Sequence, residues 1–264
     1  MSERVELTID HAIAMVRMSR PEKRNGLDAE MFDALIRVGK RIMADSSVRA
    51  VILHGQGKAF CAGLDFASFL GSPERMQKLL SREDDSPANM AQRAAWIWQE
   101  INVPVIAAVH GVALGGGLQI ALGADLRYVT PDAQLSVMEI KWGLIPDMSI
   151  TQTLLRLVAI DVAKELTFTG RIVSGTEAVQ LGLATKVSND PLADALETAR
   201  LIATKSPHAI RAAKTLLRDA PSMSRADALK LETGLQVTLL GSSNQMEAVQ
   251  ANMAKREPSF KDPD

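Results

Sequence analysis

Three consecutive glycines, Gly115-Gly116-Gly117, divide an apolar strand-like run from an apolar helix-like run in the stretch Ala113 to Asp125, and Gln119 follows one turn into the helical part. Bare backbone between a strand and a helix serves a tight turn or the close approach of a ligand to the main chain. A phosphate loop needs the pattern G-x-x-x-x-G-K-[ST], and no Lys-Ser or Lys-Thr pair follows these glycines. A dinucleotide fingerprint would run through Gly115 and Gly117 to position 120, which is Ile120. Two readings stay open: a strand-to-helix turn without a ligand, and a helix start whose unpaired amide N–H groups and positive dipole end face a developing oxyanion.

An oxyanion hole takes two donors from separate segments, and Lys58-Ala-Phe-Cys-Ala-Gly-Leu-Asp-Phe66, rich in small residues, is a companion segment. Cys61 and His110 adjoin the two loops, but no Cys-His-acid pattern accompanies them, and they read as packed residues in turns. Asp147 immediately precedes an apolar helical stretch, which is the place of an N-cap.

The elements that must position these residues belong to a globular chain of 264 residues, 47% of them apolar, enough to bury a large core. Thirty basic residues face 31 acidic ones, for a net charge of −1, so there is no electrostatic footprint for nucleic acid or an anionic membrane. Small-molecule chemistry is the expectation. The single cysteine excludes an intramolecular disulfide and a thiolate zinc site, and no metal is expected. The amino-terminal stretch lacks the apolar core of a signal peptide, and the apolar run Val103 to Val109 is too short to span a bilayer. A cytoplasmic, soluble protein is expected.

Alternation in Val5, Leu7 and Ile9, a break at Asp10-His11 and a second run from Ile13 to Met18 predict a β-hairpin. Asp28 can cap a helix carrying Met31, Leu35, Val38 and Ile42 at helical spacing. Two short apolar strands follow, Val48 to Leu53 and Pro104 to Val109, each trailed by His-Gly (His54-Gly55, His110-Gly111) and then by a small-residue loop. This weak internal repeat predicts stacked turns of similar shape. Between them, the polar stretch Ser72 to Ser86 reads as a mobile surface excursion of the sort that edges a binding site, and Ala88 to Ile101 as a helix. Beyond Pro191 strand patterns vanish, and residues 192–204, 207–218, 225–240 and 244–256 have helical character.

In these segments the chain resembles the crotonase, or enoyl-CoA hydratase/isomerase, superfamily. Arg20-Pro-Glu-Lys-Arg-Asn-Gly-Leu27 is similar to its opening motif, Gly57 to Asp65 to its first oxyanion segment, and Val109 to Gly117 to its second. Leu166-Thr-Phe-Thr-Gly-Arg171 with Glu177 to Leu183, and Lys255 to Asp262, resemble later family segments, so that the likeness covers essentially the whole chain. The resemblance implies an α/β fold: a spiral of repeated β-β-α units over residues 1–190 carrying an acyl-CoA site, and a C-terminal helical region, 191–264, that assembles a homotrimer or a dimer of trimers. It implies an acyl-CoA thioester substrate and no separate cofactor, because coenzyme A is part of the substrate. It places the amides of Leu64 and Gly116 on the thioester oxygen, each such donor contributing about 3–4 kcal/mol in the transition state. It sets Ala62, Leu64, Asp65, Phe66, Ala67 and Gly116 along the coenzyme A moiety. Arg24 and Lys255 match phosphate partners or are solvated surface charges.

Family hydratases carry two glutamates, one to activate water and one to manage the proton at the α-carbon. By resemblance the second is Glu139, while the first falls on Gln119, whose amide can orient a water but cannot take a proton. Asp147, eight residues past Glu139, is spaced as in dienoyl-CoA isomerases of the superfamily, where two acids shuttle a proton along a conjugated chain. The expectation is therefore a double-bond shift in an enoyl- or dienoyl-CoA, with Glu139 as base and acid and Asp147 assisting. Hydration of a 2-enoyl-CoA is the alternative, and a non-catalytic acyl-CoA binder is a third. Trp142 reads as packing.

Overall fold

The computed structural model describes residues 3–70, 72–82 and 86–263. Val5–Asp10 (β1) and Ile13–Met18 (β2) form the hairpin that their alternation predicts, with Asp10 opposite Ile13. Its two turn residues, His11 and Ala12, both take left-handed backbone, the geometry that matches the twist of the flanking strands. The other strands are β3 (Ala50–Gly55), β4 (Val105–Val109), β5 (Val112–Leu114), β6 (Leu126–Val129), β7 (Gln134–Ser136), β8 (Val173–Ser174) and β9 (Lys186–Val187). One sheet has the order β1-β2-β3-β4-β6-β9 and is parallel from β2 onward, and a smaller one has the order β5-β7-β8. The chain alternates between them, β4 to β5 and then β6 to β7, so that each circuit lies against the one before.

The internal repeat is visible as this stacking, in a different register from its His-Gly marks. His54 pairs with Ala108, so His110 stands two residues beyond the equivalent position. The loops that follow still meet, because Cys61 bridges Ala113 in parallel. The central strands β3 and β4 are buried on both faces, which explains why they read as continuous apolar runs. Val51, Leu53, Val105 and Val109 enter the main core, while Ile52, Ile106 and Ala108 face a second cluster.

Helix α1 (Ala29–Met43) is capped as expected, the Asp28 carboxylate accepting from Met31 N at 2.8 Å, and it buries Met31, Leu35, Val38 and Ile42. Short helices α2 (Phe66–Phe69) and α3 (Pro73–Leu79) follow the first glycine-bearing loop. Helix α3 thus occupies part of the stretch expected as a surface excursion, whose residues 83–85 lie outside the described residues. Helix α4 (Met90–Glu100) packs Ala94, Ile97 and Trp98 into the main core.

Helices α5 (Gly116–Leu122), α6 (Ile150–Thr153), α7 (Ile160–Thr169) and α8 (Gly175–Gln180) complete the first part of the chain. The C-terminal helices α9 (Pro191–Ala203), α10 (Pro207–Asp219), α11 (Arg225–Leu239) and α12 (Ser243–Met253) fall within three residues of their predicted bounds. Helix α9 covers the second face of the large sheet with Ala195 and Ala199. Helix α10 is anchored by the buried Lys214, whose ammonium meets Asp125 at 2.8 Å and donates to the carbonyls of Trp98 and Val103. Among the described residues, no helix is long and apolar enough to cross a membrane.

Candidate active site

The two glycine-bearing loops lie side by side because the circuits that carry them are laced through the main chain. Cys61 N donates to Val112 O at 3.0 Å and Leu114 N to Cys61 O at 3.1 Å. Gly115, the residue before α5, has φ +52°, a conformation that side chains disfavour. Gly117 serves close approach instead, since a Cβ there would stand 2.3 Å from the Cys61 carbonyl oxygen. The loop is therefore a tight turn, and at Gly117 it packs directly against the main chain of the first loop.

Leu64 and Gly116 line one cavity of about 360 Å³ together with Ala62, Gly63, Phe66, Glu139 and Asp147. A Cβ on Gly63 would be 3.7 Å from Gly116 N, which measures how closely the two segments approach. Among the described residues neither the Leu64 amide nor the Gly116 amide donates to a main-chain carbonyl. The rest of the wall is apolar, including Phe32, Met138, Leu144 and Met148. Met76, Leu79 and Leu80, from α3 and its end, close one side, so the polar stretch does edge the cavity.

Glu139 opens a 3-10 turn (Glu139–Trp142) just past β7, and the pairing of β5 with β7 brings it beside the glycine loop. Its carboxylate packs on the bare backbone, Oε1 lying 3.1 Å from where a Gly115 Cβ would be. Gln119 Nε2 donates to that same Oε1 at 2.6 Å, while Oε2 is buried and has no hydrogen-bond partner among the described residues. Burial pushes the Glu139 carboxyl above its ordinary range; the bond from Gln119 draws it back in part, and the nearby Asp147 charge raises it further. The apolar surroundings also raise Asp147. Asp147 is not an N-cap: α6 starts at Ile150, and Ser149 occupies the cap position with left-handed backbone.

Asp65 and Ala67 fall outside the cavity lining. Asp65 is held by Arg20 at 2.8 Å, and Arg20 also lies 3.5 Å from Asp28 and donates to Gly26 O. Ala67 is exposed on α2. Arg24 and Lys255 are exposed and outside the cavity; the Arg24 carbonyl accepts from Ala62 N, which fixes the start of the first loop.

Cys61 is fully buried, its thiol pushed up to about 12 by desolvation, and it donates to Asn25 O; nothing there favours a nucleophile. His110 bonds Gly57 O at 2.9 Å and does not line this cavity. Trp142 was missed as a site residue. It is 54% exposed, lines the cavity and meets the Phe66 ring at 4.4 Å between centroids. Its place three residues past Glu139, across one 3-10 turn, was the available signal. Among the described residues no group of three or more His, Cys, Asp or Glu could hold a metal ion.

Among the described residues, a half-buried carboxyl with one unpartnered oxygen stands beside two amides that no main-chain carbonyl takes up; in an apolar cavity this set can take a proton next to a carbonyl whose oxygen those amides receive. A family model described as enoyl-CoA hydratase/isomerase matches residues 8–263. A probable enoyl-CoA hydratase of Bacillus subtilis is 33% identical over 264 residues, covering 97% of this chain and 98% of that one. The mitochondrial Delta(3,5)-Delta(2,4)-dienoyl-CoA isomerase of Mus musculus is 30% identical over 256 residues, covering 92% of this chain and 76% of that one. The crystal structure of an enoyl-CoA hydratase from Bacillus anthracis superimposes with a TM-score of 0.90 at 29% identity, over 98% of this chain and 99% of that one.

Proposed function

The chain belongs to the enoyl-CoA hydratase/isomerase family of the crotonase superfamily, and from that premise we propose that it shifts a double bond in an enoyl- or dienoyl-CoA thioester. The supporting observation is the nature of the polar group against Glu139: an amide, Gln119, and not a second acid. Water addition calls for one group to activate water and another to manage the α-carbon proton, and Gln119 cannot accept a proton.

In the proposed reaction Glu139 removes a proton from the acyl chain. The C–H electron pair becomes a new C=C bond, and the thioester C=O pair moves onto oxygen, which the Leu64 and Gly116 amides receive. Collapse of this dienolate returns a proton to a more distant carbon, so that the double bond moves and nothing is gained or lost. Burial suits Glu139 to both steps, because a raised carboxyl is a stronger base when ionised and still gives the proton back. Asp147, on the same cavity wall, assists at the far carbon. The apolar walls exclude water that would quench the dienolate.

Hydration of a 2-enoyl-CoA is the second reading, favoured by the names of most of the similar proteins. Incubation with 2-enoyl-, 3-enoyl- and dienoyl-CoA in ¹⁸O-water separates the two. The double-bond shift predicts isomeric products without label, whereas rapid formation of labelled 3-hydroxyacyl-CoA that survives Asp147→Asn overturns it. Binding without turnover would make the chain a non-catalytic acyl-CoA binder. Assembly as a trimer or dimer of trimers through the C-terminal region is also proposed, supported by the apolar Leu229, Val237, Leu240, Met246 and Met253 that α11, α12 and their junction leave exposed.

A further inference from the structure

We infer that Gln119 is a positioning residue: its amide dictates which oxygen of Glu139 carries the proton and ties Glu139 to the Asp147 segment. This rests on the double-bond-shift reading for its functional consequence, while the geometry stands by itself.

A side-chain amide can usually be turned end for end without offending its neighbours, but here one neighbour decides the orientation. Met148 N, 2.8 Å from the Gln119 side chain, can only donate, so the atom facing it is the amide oxygen. Nε2 then faces Glu139, and Oε1 of Glu139 must accept. An oxygen that accepts there cannot also hold the proton along that direction. The proton is left to Oε2, which is buried without a partner among the described residues. Every residue of α5 is buried, Gln119 to 1% exposure, so the amide has no room to swing away.

The same side chain reaches Asp147 through the amide of the next residue. The series Glu139 carboxyl, Gln119 amide, Met148 N–H sets the separation of two groups that are eight residues apart and otherwise joined by an exposed segment, Ile140 to Ile145. A carboxyl at position 119 could accept from Met148 N but could donate to Glu139 only when protonated, giving a pair that shares one proton. Gln119 makes both bonds at every pH.

The test combines kinetics with ¹³C NMR of glutamate carboxyls in the free protein, the Glu139 signal being assigned by its loss in Glu139→Gln. In Gln119→Leu, kcat should fall roughly 10- to 100-fold with KM little changed. The acid limb of kcat and the Glu139 titration should both move to higher pH, because a donor to the ionised form is gone. Gln119→Glu retains the acceptor for Met148 N, guards against misfolding of the leucine variant, and should move both in the same direction. Unchanged kcat and titration in a folded Gln119→Glu, or lost activity in Gln119→Leu with an unmoved Glu139 titration, would overturn the inference. Failure of the double-bond-shift reading would instead appear in the unaltered protein as absence of isomerised product, and the NMR comparison would still decide the role of Gln119.

Discussion

Asp147 stands close enough to Glu139 for its charge to raise the Glu139 carboxyl, although eight residues and a 3-10 turn separate them in the chain. Burial is the larger cause and Asp147 adds to it. Replacing the charge while keeping the shape removes only the second part. Asp147→Asn should therefore shift the acid limb of turnover to lower pH while lowering its plateau, as read from a pH–rate profile with an enoyl-CoA. An unmoved limb would place Asp147 outside the electrostatic reach of Glu139.

The raised carboxyl also carries a stability cost with a definite sign. The folded state binds the Glu139 proton more tightly than the unfolded chain does, so the cost is absent below the ordinary glutamate value of 4.5 and complete once pH exceeds the folded value. Glu139→Gln, which retains an acceptor for Gln119, should melt at a higher temperature than the parent at pH 7.5. That advantage should shrink as pH approaches 4.5. Thermal unfolding at the two pH values measures it.

Arg20 supports the first loop from beneath, through Asp65, Asp28 and the Gly26 carbonyl. Its side chain is only 10% exposed, so its loss strands the largely buried Asp65 carboxylate, whereas Asp28 keeps Arg4 at 2.8 Å. Arg20→Met should cost about 3–5 kcal/mol in chemical denaturation, far more than a surface ion pair would. Asp65→Asn should recover part of that loss in the double variant.

The local features were legible beforehand. The hairpin, the Asp28 cap and the C-terminal helices follow from periodicity and punctuation within a few residues. The two loops were legible as a pair because both are rich in glycine and small residues after a similar strand. What escaped depends on the circuits lying together. Gln119 meets Glu139 across 20 residues only because β5 pairs with β7, and no spacing rule encodes that contact. The His-Gly marks misled by two positions because His54 lies inside β3, whereas His110 follows the end of β4. Asp147 looked like a cap because aspartate before an apolar helix usually is one, whereas Ser149 holds that place.

Trp142 provides a test of the cavity wall that leaves the proton chemistry alone. It leans on Phe66 and is more than half exposed, so removing it should hardly disturb folding. Trp142→Ala should raise KM for acyl-CoA by about 2- to 10-fold, the range of one lost aromatic contact, with kcat nearly unchanged. Steady-state kinetics over the same substrates would show it.

The central claim is that Glu139 moves the proton. In deuterium oxide with an enoyl-CoA, the parent protein should exchange acyl-chain hydrogen for deuterium as fast as, or faster than, it forms isomerised product. Glu139→Gln, binding the same thioester, should lose that exchange by about 10²-fold or more. Exchange that persists in Glu139→Gln at the parent rate would contradict the account and move the base elsewhere in the cavity.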